Sequence, residues 1–263
     1  MPELPEVETF KRYFDKAALQ QKILEVVVHD DKIIRNVSGA RFRDLCRGRT
    51  FTGSKRIGKY LFGQMDNQEW IQFHFGMTGD ILLYNEDELP PRHERFHFQY
   101  SDGLRLGFDC PRKFARIVHI TSLPEYITDT NLGTDALKMK LDDFLDLAQG
   151  KKSTIKGFLL NQKIIAGIGN LYADEVCYQT KVHPGSKTDS IPRKKQKEIF
   201  HSFKKTLSAA VEKAAYYKEY PDDWFWKWRD VDKKPPKGHG KIEISKIAGR
   251  TTYCFPKIQK LYD

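Results

Sequence analysis

Apolar residues recur along this chain with two periods, one typical of helices and one typical of strands. Behind Pro5 they recur at three- and four-residue intervals, which predicts a helix that begins almost at the first residue, with Val7, Phe10, Phe14, Ala17 and Ala18 on its apolar face. Strand-like segments follow at residues 23–28, 60–65, 70–75, 81–84, 96–100 and 104–108, and a Ser101-Asp102-Gly103 turn joins the last two. We therefore expect an antiparallel β-sandwich, or a barrel, behind an N-terminal helix.

The period changes near residue 123, and a domain boundary is expected between residues 123 and 138. After residues 128–134 the spacing is helical up to residue 181. A further amphipathic helix is predicted over residues 198–215, with an apolar stripe of Ile199, Phe203, Leu207, Val211 and Ala214. Residues 241–258 predict a small β-hairpin around Ala248-Gly249-Arg250. The fold class expected from these patterns is α+β.

Charge is distributed unevenly along the 263 residues, whose formal net charge is +10. From Lys181 onward there are 20 basic and 10 acidic residues, whereas the first 180 residues carry 25 of each. Clustered cations favour a polyanionic partner such as nucleic acid, because binding releases condensed counterions. A solvated, lysine-rich surface is the alternative interpretation.

Composition also excludes several classes of protein. With 40% hydrophobic and 30% charged residues and no long apolar run, the chain is expected to be globular, soluble and cytoplasmic, or nucleoid-associated in a bacterium. Cys46, Cys110, Cys177 and Cys254 are too widely spaced for a Cys-x-x-Cys metal or redox motif. We expect the four thiols to be reduced and buried. We also expect the protein to be a monomer.

The opening Met1-Pro2-Glu3-Leu4-Pro5-Glu6 offers a nucleophile. Removal of Met1 would leave Pro2 as a secondary amine, and an α-amino group titrates at roughly 7.7–8.0, so part of it is unprotonated at neutral pH. Attack on an aldehyde-level carbon would give an iminium, which is an electron sink. Glu3 and Glu6 could supply a general acid and an orienting carboxylate. Alternatively, the two prolines simply start a helix and the glutamates complement its dipole.

Two further groups of residues could bind a nucleic acid. The glycine-rich turn at residues 166–170 lies between two predicted helices and could hold phosphate at a helix N-terminus, although helix corners also use glycine for steric reasons. Met77 in His-Phe-Gly-Met-Thr-Gly, and Arg112 and Phe114 in Pro-Arg-Lys-Phe, lie at predicted strand ends and could fill the gap left by an extruded nucleotide. Core packing is the alternative for the two apolar side chains.

Six motifs in register resemble one family over nearly the whole chain, the formamidopyrimidine-DNA glycosylase and endonuclease VIII group of base-excision repair enzymes. The motifs are MPELPEVET, KRIGKYL around Lys59, HFGMTG, PRKF, LLNQKIIAGIGNLYADE, and the terminal AGR followed by T-x-x-x-x-P-x-x-Q. The sequence LPEVET favours the formamidopyrimidine branch.

The resemblance implies catalytic roles for Pro2 as nucleophile, Glu3 as proton donor, Glu6 as structural carboxylate and Lys59 as a phosphate-contacting lysine. It implies DNA contacts for Met77, Arg112, Phe114, Lys156, Asn170 and Arg250. The domains implied are a catalytic β-sandwich at 1–130, a helix-two-turns-helix DNA-binding domain at 131–220, and an aromatic loop with a finger hairpin at 221–263.

The chain departs from the family in its finger. The family's zinc-binding cysteines fall on Pro235, Gly238, Phe255 and Ile258, which cannot bind metal, so a zincless finger is expected. Phe255 and Ile258, together with Ile242, Ile244 and Ile247, are expected to form a small apolar cluster instead of the metal site. The lesion-covering loop before the finger is replaced by the aromatic run at residues 221–232.

The expected function is that of a bifunctional DNA glycosylase and abasic-site lyase that acts on oxidised purines in damaged double-stranded DNA, without metal or organic cofactor. Two alternatives remain open at this point. One is the same chemistry on oxidised pyrimidines, and the other is a non-catalytic protein that binds damaged DNA.

Overall fold

The computed structural model describes residues 1–229 and 235–263. It divides into two compact units, Met1–Asn131 and Leu132–Asp263. The predicted α+β class is confirmed, with an N-terminal helix, antiparallel sheets, a helical region and a C-terminal hairpin. In the described residues, no helix has both the length and the apolar character needed to cross a membrane.

The first unit is a sandwich of two four-stranded antiparallel sheets. Its helices are α1 (Leu4–Ala18), α2 (Gly39–Cys46) and α3 (Leu123–Asp129). One sheet has the order β1-β6-β7-β5, built from β1 (Ile23–Val28), β5 (Asp80–Asn85), β6 (Glu94–Tyr100) and β7 (Leu104–Asp109). The other has the order β2-β3-β4-β8, built from β2 (Phe51–Ile57), β3 (Tyr60–Met65), β4 (Trp70–His74) and β8 (Arg116–Ile120).

Aromatic side chains from α1 and both sheets fill one core. The Phe14 ring lies 5.0 Å from that of Phe51, and Phe51 lies 5.5 Å from Phe98 in the opposite sheet. Gly63 on β3 leaves the space for these rings, because a Cβ there would come within 2.9 Å of both Phe14 and Phe51. The packing of α1 over this core sets where the N-terminus lies within the unit.

The second unit is mainly helical. It contains α4 (Leu141–Ala148), α5 (Ile155–Leu160), α6 (Asn170–Gln179) and α7 (Arg193–Glu212), a short parallel pair β9 (Thr134–Asp135) and β10 (Ile165–Ala166), and the hairpin β11 (Glu243–Ile247) and β12 (Arg250–Cys254). The predicted hairpin is confirmed. Its turn is formed by Ala248 and Gly249, which both have positive φ angles.

Strands β2 and β8 and helix α2 did not show a clear sequence pattern. Helix α7 begins and ends at residues other than the predicted 198 and 215. Strand β2 is half-exposed and polar, and strands β2 and β8 lie at the edges of their sheet, so neither alternates strongly. Helix α2 is a short element that begins where the Ser38 hydroxyl accepts the Arg41 N–H. Helix α7 starts at Arg193, behind Pro192, and stops at Glu212, because Ala214 and Ala215 adopt left-handed conformations.

Candidate active site and nucleic-acid interface

The first residues of the chain are held by their own helix. Glu3 is the N-cap of α1 and is 5% exposed. Its backbone N–H donates to Glu6 Oε2 at 2.9 Å, and its carboxylate in turn accepts the backbone N–H of Glu6. This capping box fixes the peptide that links Pro2 to Glu3 and so limits the orientation of the proline ring. Pro2, Glu3 and Glu6 are therefore brought together at one helix end.

A salt bridge ties the same helix to the hairpin that carries Lys59. Glu8 Oε2 lies 2.5 Å from Arg56 Nε on β2, and Arg56 also donates to the carbonyl of Gly58 at 3.2 Å. Gly58 has a φ of 57°, which forms the turn between β2 and β3. Lys59 follows at once and is 6% exposed. The start of α1 and the Lys59 turn thus belong to one connected set of contacts.

His74 is a candidate functional residue that the sequence analysis did not single out. It ends β4, and its Nδ1 accepts the Gly76 N–H at 3.1 Å, so the neutral ring carries its proton on Nε2. Burial lowers the pKa of His74 to about 4, and the charges of Arg116 and Lys59 act in the same direction. At neutral pH this ring offers an uncharged N–H. The sequence signal that could have identified His74 is its position in the same His-Phe-Gly-Met-Thr-Gly motif as Met77.

The three predicted gap-filling residues lie on two adjacent loops. Gly76 is in contact with the Phe114 backbone, since a Cβ on Gly76 would lie 2.5 Å from the Phe114 carbonyl carbon. The Arg112 guanidinium lies over the Phe114 ring, 5.0 Å from its centroid. Met77 and Phe114 are 43% and 52% exposed. Exposed apolar side chains beside an arginine leave the core-packing interpretation without support and present a surface that could enter a base stack.

Lys156 lies in a different environment from the one expected of a direct DNA contact. Its side chain is fully buried, with Nζ 2.6 Å from Asp174 Oδ1 and 2.7 Å from the Thr252 hydroxyl. Arg229 approaches the other carboxylate oxygen of Asp174 at 3.2 Å. The ammonium group is therefore engaged inside the protein, and we correct its role to one of positioning β12 against α5 and α6.

Asn170 and Arg250 are linked through one residue of the hairpin. Asn170, the first residue of α6, donates from Nδ2 to the Thr251 carbonyl at 3.0 Å. Lys156 Nζ donates to the same carbonyl at 3.2 Å. The exposed Arg250 immediately precedes Thr251. The structure thus brings the two predicted phosphate-binding residues of the second unit together at the N-terminus of α6, the end of a helix whose dipole favours anions.

The aromatic run packs on α6. Residues 230–232 of this run lie outside the described residues. The Phe225 ring stacks on Tyr178 at 5.0 Å, and the backbone N–H of Trp226 donates to Glu175 Oε2 at 3.2 Å. Burial raises the pKa of Glu175 to about 7, although hydrogen bonds from Gln179 and from the aromatic run oppose the shift. A buried carboxyl group therefore connects α6 to the segment that precedes the finger.

At the finger, aromatic side chains pack around Phe255, one of the four positions to which the resemblance assigns a zinc ligand. Phe255 is fully buried and lies 5.4 to 6.1 Å from the rings of Phe225, His239 and Tyr178. The predicted isoleucine cluster is wrong in part, because Ile244 is 49% exposed. Pro235, Gly238, Phe255 and Ile258 offer no metal-binding side chain, so the family's zinc does not fit this finger.

The four cysteines are free and buried. Burial raises the pKa of the Cys46 and Cys177 thiols and raises that of Cys254, on the hairpin, to about 12. They therefore persist as neutral thiols at physiological pH.

Replacing Lys156 with Met is expected to destabilise the protein by about 3 kcal/mol, because it leaves the Asp174 carboxylate buried with one cation fewer. Urea unfolding of the full chain measures this change. The exposed Lys163→Met variant, in the same unit, should shift stability by less than about 0.5 kcal/mol. Equal shifts in the two variants would contradict the buried-network assignment.

Glu175 is expected to make stability fall with rising pH. Its pKa in the folded state lies above the unfolded value, so ionisation of the buried carboxyl group lowers the free energy of unfolding. This loss is small near pH 4.5, grows as the pH rises towards 7 and is constant above that. Glu175→Gln removes the titration but keeps only one of the two acceptor oxygens, so its stability relative to the wild type should rise between pH 5 and pH 8 by about 2 to 3 kcal/mol. Unfolding at pH 5 and pH 8 tests this, with the exposed Glu212→Gln as control. A difference that is the same at both pH values would refute it.

Comparison with known proteins identifies the family. The family model "Formamidopyrimidine-DNA glycosylase N-terminal domain" matches residues 1–117, and the corresponding H2TH domain model matches residues 132–219. A formamidopyrimidine-DNA glycosylase of Arabidopsis thaliana is 34% identical over 281 residues, which cover 100% of this chain and 72% of that protein. One from Mycoplasma mobile is 29% identical and covers 99% of this chain and 100% of its own length.

The fold agrees with a crystal structure of the formamidopyrimidine-DNA glycosylase of Lactococcus lactis, bound non-covalently to DNA that contains an abasic site. The TM-score is 0.88 at 24% identity, over 98% of this chain and 99% of the other. The family predicted from the six motifs is therefore confirmed. The chain is a DNA glycosylase that belongs to the formamidopyrimidine-DNA glycosylase family.

Proposed function

We propose that this glycosylase is bifunctional, and that it excises oxidised purines such as 8-oxoguanine and formamidopyrimidines from duplex DNA and then cleaves the strand as an abasic-site lyase. The observation that carries the proposal is the ordered start of α1, where Pro2 directly precedes the Glu3–Glu6 capping box. The link from Glu8 through Arg56 to the Lys59 turn supports it. Relatives named formamidopyrimidine-DNA glycosylase, and a Lactococcus lactis enzyme of the same fold bound to abasic-site DNA, support damaged DNA as the substrate.

The reaction starts at the Pro2 nitrogen, after removal of Met1. The unprotonated secondary amine attacks C1′ of the damaged nucleotide, and the bond from C1′ to the base breaks with its electron pair. The base leaves with a proton, the sugar ring opens, and an iminium joins C1′ to the proline nitrogen. Glu3 is the nearest carboxyl group along the chain and serves as the proton donor. Glu6 holds the Glu3 N–H and keeps the amine oriented.

Strand cleavage follows from the iminium. Its positive charge withdraws electrons from C1′, so a C2′ proton becomes acidic, and its loss expels the 3′ phosphate; a second elimination expels the 5′ phosphate. Lys59 contacts a phosphate beside the lesion, and the uncharged His74 N–H adds a neutral donor nearby. The iminium supplies the electron sink for these steps.

DNA is held by both units. Met77, Arg112 and Phe114 fill the space of the everted nucleotide, which is consistent with their exposure and with the contact between Arg112 and Phe114. Asn170 and Arg250 bind phosphate, and the basic excess of the last third of the chain adds attraction. We propose residues 1–130 as the catalytic β-sandwich domain, residues 131–220 as the helix-two-turns-helix DNA-binding domain, and residues 221–263 as an aromatic loop with the finger hairpin.

Borohydride is expected to trap the protein covalently on a duplex that contains an abasic site, because reduction of the iminium gives a stable amine. The assay uses the full chain with an N-terminus verified by mass as Pro2. The matched control carries one extra residue before Pro2, which turns the amine into an amide and should abolish both crosslinking and nicking. Absence of a crosslink from the verified protein, or full nicking by the blocked form, would defeat the assignment.

Excision should be faster from duplexes that carry 8-oxoguanine or a formamidopyrimidine than from duplexes that carry an oxidised pyrimidine. Single-turnover release of each base, on otherwise identical duplexes, measures this preference directly. A clear preference for the pyrimidine lesion would reverse the proposed substrate class while leaving the lyase chemistry intact.

A further inference from the structure

Two histidines and a glutamate converge on the first sheet of the N-terminal unit, and none of them has a role in the reaction proposed above. His29 follows β1, while Glu94 and His97 belong to the neighbouring strand β6. One ligand atom from each residue lies within 4.8 Å of the other two. Glu94 and His97 are buried, whereas the His29 side chain is 48% exposed.

A β-bulge creates this convergence. Residues 94 and 97 would lie on opposite faces of a regular strand, because side chains alternate with a period of two. The pairing of β6 with β7 shifts register between Glu94 and Phe96, and this extra residue brings Glu94 to the same face as His97. Bulges of this kind re-aim side chains and are typical of functional positions.

Gly107 on β7 leaves room for the carboxylate. It pairs with His97 across the strands, and a Cβ at this position would lie 2.3 Å from Glu94 Oε1 and 3.1 Å from a ring carbon of Tyr84. Its φ is not in the left-handed region, so the backbone does not require glycine. Glycine is required here because the Glu94 carboxylate occupies the space that a Cβ would take.

The carboxylate uses its two oxygens differently. Glu94 Oε1 accepts the Tyr84 hydroxyl at 2.7 Å, which fixes the plane of the group. Glu94 Oε2 faces two ring nitrogens, His29 Nε2 at 2.9 Å and His97 Nδ1 at 2.8 Å. The remaining nitrogen of His97, Nε2, is buried without a hydrogen-bond partner. His29 Nε2, Glu94 Oε2 and His97 Nδ1, which face one another, have the chemistry of a His₂Glu metal site.

We propose that His29 Nε2, His97 Nδ1 and Glu94 Oε2 bind one Zn²⁺ ion, which ties the end of β1 to β6 in the catalytic unit. Two histidines and one carboxylate are an established ligand set for zinc, with further positions filled by water. Tyr84 acts as the outer partner that orients the ligating carboxylate. His29, whose side chain is 48% exposed, also borders a surface cavity of about 400 Å³ lined by Asp30, Lys32 and Arg43, among others, so this ligand is reached from solvent.

A second cluster, His183, Glu243 and Cys254, is a poorer candidate although its atoms are equally close. His183 Nδ1 accepts the Gly185 N–H at 3.1 Å, so the proton lies on Nε2, the nitrogen that faces Cys254 Sγ at 3.4 Å. A metal at Nε2 would need the opposite tautomer. In the part of the chain that the structure describes, no backbone N–H donates to a ring nitrogen of His29 or His97. The proton of each ring is therefore not held on the nitrogen that would bind the metal.

Metal titration of the chelator-treated full chain tests the proposal. We expect one Co²⁺ or Zn²⁺ per chain, with visible Co²⁺ absorption bands but no sulfur-to-cobalt charge-transfer band, and a rise in melting temperature on Zn²⁺ addition. His29→Gln, at a half-exposed position that should preserve the fold, and Glu94→Gln should each weaken Zn²⁺ binding by more than about tenfold. Tyr84→Phe should weaken it by about tenfold or more through the outer partner.

His183→Gln is the matched control and should bind Zn²⁺ like the wild type, since it disrupts only the second cluster. The proposal is overturned if the wild type shows no saturable binding. It is also overturned if a sulfur-to-cobalt band accompanies binding, or if binding is lost in His183→Gln and retained in His29→Gln. Circular dichroism confirms the fold of each variant before titration.

Discussion

The proposed chemistry depends on holding the first residues of the chain still. Chain ends normally fray, and an amine that moves freely cannot be oriented for attack. Here Leu4 is fully buried, Glu6 accepts the Glu3 N–H, and Glu8 pairs with Arg56 beside the Lys59 turn. Helix capping, an ordinary means of satisfying backbone N–H groups, therefore also positions the proposed nucleophile.

The second unit relies on a different constraint, a buried group of charges. Asp174 on α6 faces Lys156 and Arg229, and the lysine also bonds to Thr252 of the hairpin. Breaking one such contact leaves an uncompensated charge in the interior, so these contacts hold α5, α6 and β12 together. The phosphate-binding candidates Asn170 and Arg250 sit at the edge of this group, which explains how the hairpin can keep its place without the family's metal ligands.

Much of the fold could be predicted from the sequence, because the relevant signals are local, whereas the roles of the N-terminal residues rest on the family resemblance. Capping residues, strand alternation and the hairpin turn each lie within a few positions of one another, as at Glu3 and Glu6. The role of Lys156 could not be predicted, since its partners Asp174 and Thr252 are distant in sequence and only packing shows that the side chain is buried. Likewise, Phe255 packs against Tyr178 and Phe225 rather than against the exposed Ile244, which no local pattern reveals.

The buried cysteines have a consequence for the conditions under which this enzyme can work. Peroxide attacks the thiolate, and both burial and a high pKa keep that form scarce, as at Cys254 with a pKa of about 12. A finger held by four zinc thiolates would offer oxidants a set of sulfur atoms whose loss releases the ion. In this chain the Phe255 end of the hairpin packs on aromatic rings and its one cysteine is a buried thiol, so the contacts that hold it offer oxidants no exposed thiolate.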